Sequence, residues 1–503
     1  MTLIVPLIQI VSQSKNPLLK KHETWERVEL CLIADVLNGF AFDSQKFSKD
    51  HGMPLIRIRD INGGQTECNY NGEFDPQCLV NFGDLLDGMD FNTSRWKGST
   101  ALLNQRVCKI IQKSKCYTPK FLDYVLPAYL QEINKNTSSL TVKHLSSQSI
   151  KEIPLPLPPL PEQHRIVTKI EELFTQLDAG VASLKKVQAQ LKRYRQAVLK
   201  AAFEGRLTQE WREEHKEEIE PVDVIRERIE RIWKTRPKSN FTQSLEEPDH
   251  VFTIPHNWAW IHLGSVTESM KNGIYKLPNF YSDKGFACLR MYNIENGKIV
   301  WKDIKRMTLS NDEIDDYLLK EGDFLVNRVN SRELVGKSAV IPDNLERCVY
   351  ESKNIRLRFF KDIVHSKLVN YWFLHYSQKF FNKNAQQTVG MASINQNQLS
   401  IMPFPLSPYI EQLVMIEEIE RHFSQIDHIE NIITTSLRQA ETLRQSILKQ
   451  AFEGRLVPQD PNDEPASVLL ERIKAEKACH AAGTKKGKTL QPKSPKRKVR
   501  DVN

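Results

Sequence analysis

The sequence predicts an α+β chain with an internal pseudo-twofold repeat: two α/β globular segments and two long helices that pair antiparallel. Three observations predict it. LKAAFEGRL at Leu199–Leu207 returns as LKQAFEGRL at Leu448–Leu456, 249 residues later. The match runs back without a gap to Ile153 and Met402, and 22 of its 55 paired positions are identical. Each copy also carries apolar residues at steps of three and four, the spacing of a helix–helix seam. Ahead of each copy lies a strand-like segment punctuated by turns. A chain that carries one unit twice should contact whatever it binds twice.

The elements follow in order. MTLIVPLIQIV at the start is apolar with no basic residue before it, which predicts a buried strand and not a signal peptide. Residues 1–152 form the first globular segment, with turns at Asn38-Gly39, Asn62-Gly63-Gly64, Asn71-Gly72 and Asp87-Gly88. IPLPLPPLP then predicts a stiff extended connector, because proline can neither continue a helix nor sit in a central strand. Pro161-Glu162 suits a helix start, with proline in the first turn and a carboxylate at the positive dipole end.

Residues 153–235 hold the first copy. Its seam is Ile166, Ile170, Leu173, Leu177, Val181, Leu184, Val187, Leu191, Tyr194 and Val198. The helix has about 42 residues, or ~63 Å at 1.5 Å per residue. A short helix opens at Glu220-Pro221, and 236–257 are a polar linker. The second globular segment, 258–401, has turns at Asn272-Gly273 and Asn296-Gly297. Residues 402–480 repeat the helical unit, with Met415, Ile419, Phe423, Ile426, Ile429, Ile433, Leu437, Ala440, Leu443 and Ile447 in its seam and a short helix after Glu464-Pro465. A single stripe of such length needs a partner, either another protein chain or, more simply, the other copy, since the intervening segment lets the chain return for antiparallel pairing. The globular segments themselves match faintly: Trp25…Leu30 with Trp258…Leu263, Arg57-x-x-x-Ile61 with Arg290-x-x-x-Ile294, Gly83-Asp84-x-Leu86 with Gly322-Asp323-x-Leu325.

The net charge of +9 is concentrated in the tail: residues 471–503 hold 11 Lys/Arg against 3 Asp/Glu. Residues 481–503 read as a basic disordered tail. Charge alone therefore makes a weak case for nucleic acid, and the repeat carries it. No apolar run approaches the ~18–20 residues of a membrane span. The eight cysteines are scattered with no Cys-x-x-Cys pair, which suits reduced thiols in a cytosol.

Three strings imitate active sites. Pro342-Asp343 with Glu351-Ser-Lys353 has the residue types of a metal nuclease, but the gap is short for two strands and a turn. Gly336-Lys337-Ser338 imitates a phosphate-binding loop, yet Ser331 stands where its first glycine belongs. Ser407-Pro408-Tyr409 approximates a methyltransferase loop but aligns with Pro159-Leu160-Pro161, a helix start. Neither catalytic residues nor a metal site are predicted. The stronger candidates are polar loops after each Gly-Asp-x-Leu strand: Asn92, Ser94, Arg95 and Lys97, and in the second half Arg328, Asn330, Arg332 and Lys337. Arg and Lys suit guanine O6/N7, Asn suits adenine, and Ser suits phosphate. Ser-Arg occurs after the strand in both halves. Tyr275, Lys276, Arg290, Tyr292 and Asn293 are weaker candidates.

The layout resembles the specificity (S) subunit of type I restriction-modification systems. The paired PLPPLPEQHRIVTKIEELF and PFPLSPYIEQLVMIEEIERHF segments and the paired AFEGRL strings carry the resemblance, from about residue 25 to 477. Tyr409-Ile410 in place of Leu160-Pro161 departs from it, and the basic tail is unassigned. The resemblance implies two target-recognition domains, 1–152 and 258–401, each gripping half of a split asymmetric site in double-stranded DNA. It implies that an antiparallel coiled coil sets their spacing. It implies two methyltransferase (M) subunits docked on the repeated helices, with restriction (R) subunits added. S-adenosylmethionine, ATP and Mg²⁺ would serve through those partners, with no cofactor bound by this chain and no membrane, in a prokaryotic cytoplasm. The alternatives are a free-standing DNA nuclease or methyltransferase dimerised by a coiled coil, and a scaffold that binds only proteins.

Overall fold

The computed structural model describes residues 6–88, 92–136, 147–236 and 241–487, except 243, 245 and 389. The chain forms two compact units, Met1–Ser183 with Ser436–Asn503, and Leu184–Thr435. Each unit thus combines one globular segment with the start of one long helix and the end of the other.

In the first unit, Ala34–Asn38, Val107–Gln112, Leu85–Gly88 and Asn92–Arg95 form an antiparallel sheet in that order. A second sheet places Met53–Ile56 parallel to Ala101–Leu103. The second unit repeats the scheme: Thr267–Asn272, Asn354–Phe359, Phe324–Asn327 and Ser338–Val340 form the antiparallel sheet. Phe286–Leu289 again lies parallel to Cys348–Tyr350. The faint matches in sequence are therefore matches in topology.

The start of the chain differs from expectation. Its described part is a helix, Leu7–Gln13, with Leu7, Ile10 and Val11 buried. Spacings of three and four put those side chains on one helical face, a pattern that a short apolar run does not distinguish from a strand. Asp87-Gly88 also ends a strand instead of forming a turn, whereas Asn296-Gly297 turns with both φ positive, at 49° and 80°.

The proline strings are extended, as expected, and are also paired. Pro154–Leu157 pairs antiparallel with Glu26–Glu29, and Pro403–Leu406 with Ala259–His262, each in a two-stranded ribbon. Alternation explains the fit: Leu155 and Leu157 keep the amides that the prolines lack. Both strands are buried along their length.

The long helices run Leu160–Phe203 and Tyr409–Phe452, 44 residues each. Glu-Gln at each start is a buried junction. Glu162 accepts from the Trp25 indole at 3.0 Å and from the Gln459 amide. Glu411 accepts from the Trp258 indole at 2.8 Å, Thr208 at 2.8 Å, Arg212 at 2.9 Å and Asn257 at 3.2 Å. The next residue closes the loop ahead of the helix. Gln163 accepts from the Thr118 amide at 2.8 Å and donates to Cys116 O and Pro158 O. Gln412 likewise accepts from the His365 amide at 2.9 Å and donates to Ile363 O and Ser407 O. Burial pushes the Glu162 carboxyl up, against the Trp25 and Gln459 hydrogen bonds.

AFEGRL is a helix terminator. Gly205 and Gly454 have φ of 72° and 69°, the left-handed residue that caps a helix C-terminus. Arg206 N then bonds Ala201 O, and Arg455 N bonds Gln450 O, both at 2.8 Å. A Cβ on Gly205 would lie 2.3 Å from Pro255 Cγ, and one on Gly454 2.7 Å from His22 Cβ. Phe203 and Phe452, the phenylalanines of the motif, are fully buried, against Trp372 and Phe121 respectively.

Between start and end, each unit pairs one helix with the other through the same clamp. Arg195 lies 4.6 Å over the Phe423 ring and 2.7 Å from Asp427. Arg444 lies 4.3 Å over Phe174 and bonds Asp178. All six residues are identical partners in the repeat, and the pairing is antiparallel in each unit. Burial would raise the Asp427 carboxyl, but Arg195 and Lys298 hold it below its ordinary range.

Ile166, Ile170, Leu191, Ile419, Phe423, Ile426 and Ile433 are buried, and Leu173, Leu177, Leu184 and Leu437 half-buried. Val187, Ile429 and Leu443 leave the seam, Leu443 being 51% exposed, whereas Tyr194 is exposed but still meets His422 of the other helix at 3.1 Å. A straight helix drifts ~20° per heptad from a 3.5-residue stripe, so a stripe read over about nine turns overshoots. Gly180 is exposed in mid-helix with nothing within 4 Å of an added Cβ. Gly180→Ala is expected to stabilise the chain by ~0.5–1 kcal/mol, seen as a raised thermal midpoint. A lowered midpoint would mean that the helix needs glycine there.

Candidate nucleic-acid interface

In both units the parallel strand pair delivers three loops to one edge of the sheets. In the first unit these are Phe40-Ala41, Arg57-Ile58-Arg59 and Asn104-Gln105-Arg106. Phe40 bridges Asn104 in parallel, and Arg57, Arg59, Asn104, Gln105 and Arg106 line a cleft of about 360 Å³. Arg59, Gln105 and Arg106 are exposed. Arg57 is held by Asp60 at 3.1 Å, which also caps its backbone amide.

Gly39 makes the arrangement feasible. A Cβ there would sit 1.8 Å from Asn104 O, so only glycine lets the two backbones meet. Gly273 does the same against Glu351 O, at 2.2 Å. Both were expected as turn residues; close backbone approach is their role.

The second edge has the same plan with different side chains. Ile274 bridges Glu351, which places Tyr275 opposite Ser352-Lys353. Glu351 accepts the Met291 amide at 2.7 Å and so fixes Arg290-Met291-Tyr292. Burial pushes the Glu351 carboxyl up, while that amide, Lys353 and Arg290 pull it down. The Arg290 guanidinium lies 5.5 Å from the Tyr292 ring centroid. Tyr275 and Tyr292 are 74% and 69% exposed, whereas Asn293 is buried as a cap. Lys276 is paired with Glu313 at 2.5 Å.

Arg328, Asn330, Arg332 and Lys337 all fall between Phe324–Asn327 and Ser338–Val340. Arg328 leans on Ser352 O at 3.5 Å, and its buried Nε has no hydrogen-bond partner among the described residues. Asn330 is buried and donates to Asn327. Arg332 is exposed and donates to Asn382 at 3.3 Å. Lys337 donates to Ile294 O at 3.5 Å.

In the first unit, Asn92 is exposed at a strand start, Ser94 donates to Arg95 O, and Lys97 is exposed. Arg95 is tied to Asp123 at 2.5 Å and to Gly83 O at 2.6 Å. Strand pairing separates the two Ser-Arg strings. Arg95 faces Leu85, as Val340 faces Phe324, so Arg95 corresponds to Val340 and not to Arg332. The first-unit counterpart of the Arg332 loop includes 89–91, outside the described residues.

Arg59 and Arg106 are not singled out by the sequence, and Lys353 only within the nuclease-like string. The signal for them was the repeated Arg57/Arg290 match, which marks the loop but not its neighbours in space.

The strings that imitate active sites have other work. Glu351 holds the loop just described. Ser338 donates its hydroxyl to Asn370 at 2.8 Å, and Ser407 O receives Gln412 at the helix start.

Residues 22–193 match the family model of the type I restriction modification DNA specificity domain. The specificity subunit of the type I restriction enzyme EcoBI of Escherichia coli is 33% identical, covering 95% of this chain and 97% of that one. The EcoKI specificity subunit of E. coli strain K12 is 26% identical over 93% and 98%. A solved chain from work on complex assembly and conformational transition of the type I R-M system shares the fold, with a TM-score of 0.61 at 17% identity. That alignment covers 87% of this chain and all of the other. The class is thus that of type I restriction-modification proteins. Within it, the chain belongs to the specificity subunits. Among the described residues, no helix is long and apolar enough to cross a membrane.

Proposed function

We propose that this chain reads a bipartite, asymmetric site in double-stranded DNA, each globular segment gripping one half. The observation that carries the reading is the pair of loop edges built on one plan with unlike side chains. Equal scaffolds give equal geometry; different side chains give different half-sites. The long helices act as an antiparallel coiled coil that sets the distance between half-sites, about one DNA turn (~34 Å) or a multiple of it. Their repeated faces receive two methyltransferase subunits, and restriction subunits join these. The chain itself supplies no catalysis. S-adenosylmethionine, ATP and Mg²⁺ act through the partners, in a prokaryotic cytoplasm. Base modification requires extruding the base from the stack, so this chain has only to hold and shape the duplex.

Exchanging residues 25–150 for another recognition domain is expected to change one half-site and leave the other intact. Mapping methylated adenines genome-wide in a host carrying the hybrid with its partners reads this directly. A hybrid that alters both halves, or neither, defeats the two-grip reading.

A further inference from the structure

At matched positions the two edges carry different chemistry. Strand pairing aligns Ala41 with Tyr275, Arg57 with Arg290, Arg59 with Tyr292 and Arg106 with Lys353. The first edge is polar and cationic. The second has lost one cation and gained two phenol rings, which are among the most exposed aromatic rings described.

These rings are supported from beneath. Glu351 fixes the loop that carries Tyr292 through the Met291 amide, and the Arg290 guanidinium packs against the Tyr292 ring. Tyr281 lies under the same cluster: burial raises its hydroxyl to about 12, with Cys288, Glu351 and Tyr275 close enough to add to the shift. Ile274 is anchored by the Tyr350 carbonyl at 2.9 Å, and Ser352 by the Ile274 carbonyl at 2.8 Å. Tyr275 and Tyr292 are thus exposed rings on a rigid base. A ring face left exposed to water adds nothing to the fold, and its natural counterpart is another flat apolar face. In duplex DNA a base shows its face only where the stack is opened.

Resting on the DNA-reading role proposed above, we infer that Tyr275 and Tyr292 stack on bases at an opened or kinked step in the half-site held by residues 258–401. The cationic first edge holds its half-site with no ring inserted between bases. The chain therefore reads one half by hydrogen bonds and charge and the other also by deformability. Steps that unstack easily, such as pyrimidine–purine, suit the second half. A side-chain wedge at such a step bends the duplex.

The test uses the full chain assembled with its methyltransferase partners, on duplexes carrying the methylation-mapped site. 2-Aminopurine is placed in turn at each position other than the methylated adenines and the bases stacked on them. The expected result is a rise in fluorescence at one step of the second half-site and none in the first. Tyr292→Ala and Tyr275→Ala should abolish the rise and weaken binding about 5- to 150-fold, the span for a lost stacking ring. Tyr292→Phe should preserve both. Arg59→Ala should instead reduce the salt dependence of binding, by about 0.9 in the logarithmic slope if it neutralises one phosphate, and leave the fluorescence unchanged. Equal fluorescence in the two half-sites, or a rise that survives both alanine variants, would overturn the inference. Wild-type assemblies that bind unrelated duplexes equally well would instead defeat the reading of the previous subsection.

Discussion

Glu411→Ala is expected to destabilise the second unit by ~3–5 kcal/mol, the loss typical of breaking a buried charge pair by removing one partner. Glu411 is fully buried, and its side chain collects four donors. One of them, Arg212, is a cation only 13% exposed in its side chain. Truncation leaves that guanidinium, an indole N–H and a hydroxyl facing a void. Glu162→Ala makes the informative comparison, because among the described residues Glu162 accepts hydrogen bonds only from neutral Trp25 and Gln459. Its loss should be ~1–3 kcal/mol, the cost of unsatisfied neutral groups. Denaturant midpoints at unchanged slope measure both. Equal losses in the two variants would remove Arg212 from the explanation.

Gly273→Ala should cost about 3 kcal/mol, the upper end of what overpacking causes, and should also displace the second edge. The added methyl would meet Glu351 O at 2.2 Å and Tyr350 O at 2.4 Å. Those are backbone atoms in a parallel bridge, so no side chain can swing aside. Gly83→Ala is the control. Gly83 has φ of 88° with nothing within 4 Å, so it should lose only the ~1–2 kcal/mol of left-handed strain. On the proposed two-grip reading, Gly273→Ala is also expected to relax discrimination in one half-site, measured by binding to single-base variants. A variant as stable and as selective as the parent would mean that the bridge opens at little cost.

The repeat, the helix starts and the helix ends were legible in sequence because they are local. A proline alternation, a Glu-Gln pair and a left-handed glycine each declare their geometry within one or two turns. The helix seam was mostly legible too, and it failed at Leu443 and Val187 for the reason that periodicity predicts: a straight helix does not hold a 3.5-residue stripe. The reading edge was hardly legible. Arg95 and Arg332 look alike in sequence, yet one is locked to Asp123 and the other lies in a loop with no counterpart at Arg95.

The amino-acid order alone determined that the architecture is doubled and that two long helices follow two dissimilar α/β segments. Tertiary structure alone decided the partners: Trp25 for Glu162, Phe174 for Arg444, Ile274 for Glu351. Periodicity and capping depend on neighbours a few residues away, which the chain always presents together. Hydrogen bonds, bridges and ring contacts between residues far apart in the chain depend on strand pairing and close backbone approach, and these exist only after the sheets have formed.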